Sequence, residues 1–175
     1  MLVVNLYGAP GAGKSVGAAY IFAKLKMAGI NAELITEFGK DMVWENNRTA
    51  FENQVYIFGE QYYRLTRLKD KVDVAVTDSP ILLGAFYNRD DKVDQELDRL
   101  ATVASEQYDS FDVFIHRATP YEESGRLHSK EESDNLSDSM QDYLDAHDIS
   151  CLHCVGTIDG YDMIVDSVLK LLGKA

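Results

Sequence analysis

The chain has 175 residues, 46% of them apolar, and a formal net charge of −12. That length and apolar share suit one domain, 1–175, around a single core. The acidic balance opposes tight, non-specific adhesion to nucleic acid or anionic membrane, and no apolar run approaches the roughly 18 residues of a membrane span. No signal-peptide pattern precedes the first apolar run, so the expectation is a cytoplasmic protein with no membrane partner.

Leu2-Val3-Val4-Asn5-Leu6-Tyr7 reads as a buried strand, and Val16 to Ala23, rich in alanine, reads as a helix. Between them stands Gly8-Ala9-Pro10-Gly11-Ala12-Gly13-Lys14-Ser15, the pattern G-x-x-x-x-G-K-[ST] in a strand–loop–helix context. Glycines let successive N–H groups turn inward around phosphate oxygens, and the helix N-terminus adds partial positive charge. Lys14 can reach β- and γ-phosphates, and the Ser15 hydroxyl can ligate Mg²⁺.

Ala28-Gly29-Ile30-Asn31 ends the helix, and Ala32 to Thr36 reads as a second strand with Glu37 past its end. Phe38 to Asn46 predicts a short helix. Thr49 to Lys71 predicts a long one, with Val55, Phe58, Tyr62, Leu65 and Leu68 on one face. Val72 to Asp78 is the third strand, closed by Ser79-Pro80. Asp90 to Tyr108 is helical, and Phe111 to His116 is the fourth strand. A polar loop, Arg117 to Leu127, leads to an acidic helix from Lys130 to Ala146. Ser150 to Val155 is the last strand, and Met163 to Leu172 the last helix. Cys151 and Cys154 lack a second ligand pair at finger spacing, and strand alternation sends them to opposite faces, so they read as core-strand cysteines. Strands alternating with helices predict an α/β fold: a three-layer, doubly wound, five-stranded parallel sheet.

Ligands of such sheets bind beyond the carboxyl ends of the strands, where Gly8 to Ser15, Glu37, Asp78 and Arg117 converge. Asp78 can hold Mg²⁺ with Ser15 or orient an acceptor hydroxyl. Glu37 is a candidate general base for a hydroxyl attacking a γ-phosphate. Arg117 and Arg126 flank a polar loop containing Thr119-Pro120 and Gly125, in a lid segment around 117–146 that can close over the phosphates and offset developing charge; Lys130 is a weaker candidate of the same kind. Gln54 or Gln61 could read a base edge through a carboxamide. Arg64, Trp44, Tyr62 and Tyr63, with Phe51, Phe86 and Tyr87, could line the acceptor, although aromatics at helical spacing also build cores. His116 and His128 have no Ser or Cys partner arranged for nucleophilic catalysis and receive no catalytic role.

These residues resemble the P-loop kinases, specifically the deoxynucleoside kinase-like group. Gly8 to Ser15 is similar to their phosphate loop. Ile35-Thr36-Glu37 followed by Trp44 is similar to their strand ending in the catalytic glutamate. Phe51-Glu52-Asn53-Gln54 ahead of Tyr62-Tyr63-Arg64 resembles their base-reading helix, and Arg117-Ala118-Thr119-Pro120 with Gly125-Arg126 resembles the entry to their lid. Where those kinases usually carry Glu-Arg-Ser after the third strand, this chain has Thr77-Asp78-Ser79-Pro80, which looks more like bacteriophage-encoded ATP-binding P-loop kinases. Some of that wider group act on hydroxymethylated pyrimidines within DNA.

The resemblance implies ATP and Mg²⁺ as cofactors and phosphoryl transfer to a nucleoside, a nucleotide or a modified base in DNA. An NTPase switch and a non-catalytic nucleotide-binding module are the other classes open to a phosphate loop; the guanine-reading Asn-Lys-x-Asp is absent from the sequence.

Overall fold

A computed structural model describes residues 1–118 and 130–174. The described strands are β1 (Leu2–Tyr7), β2 (Ala32–Ile35), β3 (Val74–Thr77), β4 (Asp109–His116) and β5 (Leu152–Val155). The helices are α1 (Lys14–Met27), α2 (Phe38–Trp44), α3 (Arg48–Glu52), α4 (Gln54–Thr66), α5 (Leu83–Phe86), α6 (Asp94–Ser105), α7 (Lys130–Ala146) and α8 (Ile158–Leu171). The strands form one five-stranded sheet, ordered β2-β3-β1-β4-β5, with every pairing parallel. β1 is central, with Val3 opposite Ala75 on one side and Ser110 on the other. Its neighbours on the two sides are reached by separate crossovers, so the order reverses at β1, and the phosphate loop leaves the sheet at this switch point.

Strand alternation divides the core between two faces. Val4, Leu6, Val76, Val113 and Ile115 pack against Ile21 and Leu25 of α1 and Ile164, Val165 and Val168 of α8. On the other face Val3 and Ala75 meet Phe58 and Leu65 of α4 and Leu97, Ala101 and Ala104 of α6. Tyr7 and Phe114 meet Leu83 of α5 and Met140 and Leu144 of α7. Helices therefore cover both faces, as the expected three-layer, doubly wound architecture requires. Among the described residues, no helix is long and apolar enough to cross a membrane.

Several element limits differ from the sequence reading. The long helix expected over Thr49 to Lys71 is two helices, α3 and α4. Asn53 breaks it with φ −87° and ψ 88°, and its side chain accepts from the Tyr56 amide to cap α4. The helix expected from Asp90 begins at Asp94, because the Asn88 carboxamide donates to the Asp90 carbonyl and the Asp94 carboxylate and holds the preceding residues in a turn. The last helix starts at Ile158 rather than Met163, capped by Thr157, whose hydroxyl accepts from the Gly160 amide. Cys154 is buried on the α1/α8 face. Cys151 precedes β5 and packs toward Tyr7 and Phe114, and both cysteines are free thiols.

Candidate active site

The phosphate loop is shaped by glycine where a side chain has no room. Gly8 has φ +137°, and a Cβ there would lie 2.5 Å from the Ile115 carbonyl oxygen. Gly13 has φ +96°, and its Cβ would lie 2.5 Å from the Tyr161 hydroxyl, which donates to the Gly13 carbonyl at 3.0 Å. Gly13 is also the N-cap of α1, and no side chain caps that helix. The first amides of α1 therefore keep the donors that a helix N-terminus can offer an anion. Lys14 folds back over the loop, its Nζ donating to the Gly8 carbonyl at 2.6 Å and the Ala9 carbonyl at 3.3 Å. Ser15, in the first turn of α1, is exposed.

Glu37 stands at the N-cap of α2, past the end of β2, yet its carboxylate takes no capping bond. Gln61 does that work instead. Its Oε1 accepts from the Phe38 amide at 3.1 Å, while its Nε2 donates to the Thr36 carbonyl at 3.3 Å and reaches Thr77 Oγ1 at 3.5 Å. Burial pushes the Glu37 carboxyl above the ordinary glutamate range; the nearby Lys14 charge pulls it down and the Asp78 charge pushes it up again. The loop lysine and the ends of β2 and β3 thus act on one carboxyl group. Tyr87, after α5, belongs to the same region: burial and then the Glu37 charge push its hydroxyl up to about 12.

Asp78 follows β3 and is 5% exposed, and its Oδ1 has no hydrogen-bond partner among the described residues. A buried carboxylate oxygen without a partner is costly unless a cation meets it. Hard oxygen donors are what Mg²⁺ takes, with phosphate oxygens and waters completing its shell, so Asp78 and Ser15 suit that ion. Among the described residues, no cluster of three or more His, Cys, Asp or Glu can hold a metal by itself.

Arg117, past β4, pairs with Asp134 at 3.0 Å and donates to Ser133 Oγ at 2.6 Å. Ser133 in turn donates to the Pro10 carbonyl at 2.9 Å. The geometry thus gathers the phosphate loop, Lys14, Glu37, Asp78 and Arg117 on one rim. Arg126 lies outside the described residues, as does the expected loop around Thr119-Pro120 and Gly125.

The acceptor-side candidates are placed differently. Gln54 donates to the Phe51 carbonyl at 3.0 Å. Arg64 pairs with Asp41 at 3.1 Å and Glu60 at 3.2 Å, and stacks over the Phe38 ring at 4.9 Å, tying α4 to α2. Tyr62 stacks on Phe58, and its hydroxyl engages Gln107, just past the end of α6. Trp44 is 77% exposed at the end of α2. The sequence reading gave Ser133, Met140 and Tyr161 no role, though all three touch the loop backbone. For Tyr161 a signal existed in the small residues Gly13 and Gly17, where a Cβ would strike its ring or hydroxyl.

Residues 3–159 match the family model described as an AAA domain, and the chain belongs to that family. No curated protein sequence matches it. Among solved structures, it is similar to a NadR protein in complex with NR, with TM-score 0.71 and 14% identity. That alignment covers 98% of this chain and 51% of the other, so the chain spans about half the length of that protein. It is also similar to deoxyadenosine kinase from M. mycoides with bound dATP, with TM-score 0.62, 18% identity, and 98% and 99% of the two chains covered. The same kinase with products dCMP and a flexible dCDP gives TM-score 0.60 at 18% identity, over 99% and 100% of the chains. At such identities the likeness is one of fold, and the fold is that of the P-loop kinases.

Proposed function

We propose that this member of the AAA-domain family is an ATP-dependent kinase that transfers the γ-phosphoryl group to a hydroxyl of a nucleoside- or nucleotide-type acceptor. The observation that carries the reading is Glu37: a carboxyl raised by burial, not used as a helix cap, and under the charges of Lys14 and Asp78. A general base needs that independence from its own helix and a pKa moved toward the working pH. The structural neighbours support the class of acceptor, because one is in complex with NR and the other holds dATP or the products dCMP and dCDP.

In this reading the loop amides and Lys14 hold the β- and γ-phosphates. The acceptor hydroxyl oxygen forms the new bond to the γ-phosphorus, and the bond from that phosphorus to the β,γ-bridging oxygen breaks, its electron pair leaving with ADP. Glu37 takes the hydroxyl proton. Arg117 and Arg126 offset charge on the transferring group. Ser15 and Asp78 hold Mg²⁺, which when bound supplies positive charge to the phosphate oxygens. Most of the acceleration then comes from positioning and electrostatics.

Trp44 and Gln54 are the acceptor-side residues we retain; Arg64 and Tyr62 we assign to holding α4 against α2 and α6. We take 1–175 as one kinase domain working in the cytoplasm. The test is acceptor-dependent release of ADP from ATP across a panel of nucleosides, nucleotides and oligonucleotides carrying hydroxymethylated pyrimidines. ADP release that no acceptor changes would sink the kinase reading in favour of an NTPase. Transfer confined to the oligonucleotide would move the acceptor into DNA.

A further inference from the structure

Ser133 lies in the first turn of α7 with no exposed surface. A serine hydroxyl has one hydrogen and two lone pairs. Here the hydrogen goes to the Pro10 carbonyl at 2.9 Å, and a lone pair receives Arg117 Nη2 at 2.6 Å. Asp134, its neighbour, pairs with the same guanidinium through Nη1 at 3.0 Å. Further along α7, Met140, also without exposed surface, accepts from the Gly8 amide through Sδ at 3.4 Å. The helix is therefore tied to the phosphate loop at Gly8 and at Pro10, and the second tie carries an arginine.

We infer that Ser133 is a positioning residue that makes the placement of Arg117 follow the conformation of the phosphate loop. Lys14 holds the Gly8 and Ala9 carbonyls, next in sequence to the Pro10 carbonyl that Ser133 holds. When Lys14 turns to a phosphate, those carbonyls lose their donor and the loop around them readjusts. A hydroxyl bonded at once to that loop and to the guanidinium transmits the change. A serine that merely satisfied its own buried hydroxyl would not need both partners to belong to the rim.

The inference rests on the proposed phosphoryl transfer only for its kinetic readout, so the experiment has two arms. In the first, hydrogen exchange of the first turn of α7 is followed with and without a non-hydrolysable ATP analogue. The parent should gain protection there, and Ser133→Ala should lose at least about two-thirds of that response, while Ser133→Thr, which keeps the hydroxyl, retains it. In the second, Ser133→Ala should lower kcat by about tenfold with the KM for ATP within about threefold, and should cost nothing further when added to Arg117→Ala. If Ser133→Ala does not fold, Ser133→Cys, a weaker donor of similar shape, carries the same expectations. An unchanged exchange response, or losses that multiply in the double variant, would overturn the inference. A parent that binds the analogue but transfers phosphate to nothing sinks the kinase reading, and the exchange arm still decides this one.

Discussion

The Lys14 ammonium donates to the Gly8 carbonyl at 2.6 Å, within the loop it is expected to serve. A lysine on a four-carbon stem can leave two carbonyls for a phosphate at small cost, because a phosphate oxygen offers full charge where a carbonyl offers a dipole. Lys14→Ala should therefore leave the fold intact, weaken ATP binding and abolish transfer. Equilibrium binding of a fluorescent ATP analogue, measured beside thermal unfolding, separates these effects. Undiminished turnover would remove Lys14 from the site.

Glu37 gives a prediction in which stability and activity move in opposite directions. Its pKa in the folded chain is raised, mainly by burial. A carboxyl raised on folding favours the folded state below the ordinary glutamate range, and that contribution is lost as pH rises through the folded value. At neutral pH the charged side chain is therefore a burden. Glu37→Gln should raise Tm at pH 7, with the gain disappearing as pH falls below the ordinary glutamate range. It should lower kcat by roughly 10²–10⁴, the usual worth of a positioned base. The parent's kcat should fall on acidification at a pH above that of an ordinary glutamate. A variant less stable than the parent at pH 7, or a kcat within a few-fold, would return Glu37 to an ordinary loop position.

Asp78 carries a buried oxygen with no partner in the described chain. If that oxygen serves a cation, Asp78→Asn should raise the Mg²⁺ concentration for half-maximal activity by about tenfold or more, and chelation should abolish turnover in the parent. Thermal shifts on adding Mg²⁺ with the ATP analogue give a readout independent of turnover. The parent should be stabilised and the variant much less so. Equal shifts would assign Asp78 to another task.

The sheet and the loop were legible because strong local signals coincide there. The expected bounds of β1 match the structure residue for residue, since a nearly continuous apolar run stops at a glycine. The rim followed from topology, because parallel strands deliver their carboxyl ends to one edge. The break at Asn53 was hidden: Phe51, Val55, Phe58 and Tyr62 keep helical spacing through it, and an asparagine within such a run looks like a surface residue until it caps. That spacing also cannot tell a core aromatic from one facing a ligand, so it offers Tyr62 to the acceptor although Tyr62 stacks on Phe58. Ser133 gave no signal, because its partners lie 16 and 123 residues away and only the fold brings them together.

Gln61 offers the sharpest test of how Glu37 is kept available. As a reader of an acceptor base its carboxamide would face a ligand, but its oxygen accepts from the Phe38 amide and its nitrogen reaches Thr36 and Thr77. It is 3% exposed and spans the ends of β2 and β3 and the start of α2. By capping α2 from outside, it spares the Glu37 carboxylate that task. Gln61→Leu would leave the Phe38 amide and the Thr36 carbonyl without their partner, a loss of about 1–3 kcal/mol. The Glu37 carboxylate, at the N-cap of α2, is then a substitute acceptor for the helix amides; it would turn onto its own helix and be stabilised as the anion by the helix N-terminus. The variant should then show lower kcat, a KM for acceptor within a few-fold of the parent, and an acid limb of the kcat–pH profile shifted to lower pH. A base-reading glutamine predicts the reverse, with acceptor KM rising and the pH profile unmoved. Denaturant unfolding, acceptor KM and the pH profile of one variant decide between the two roles.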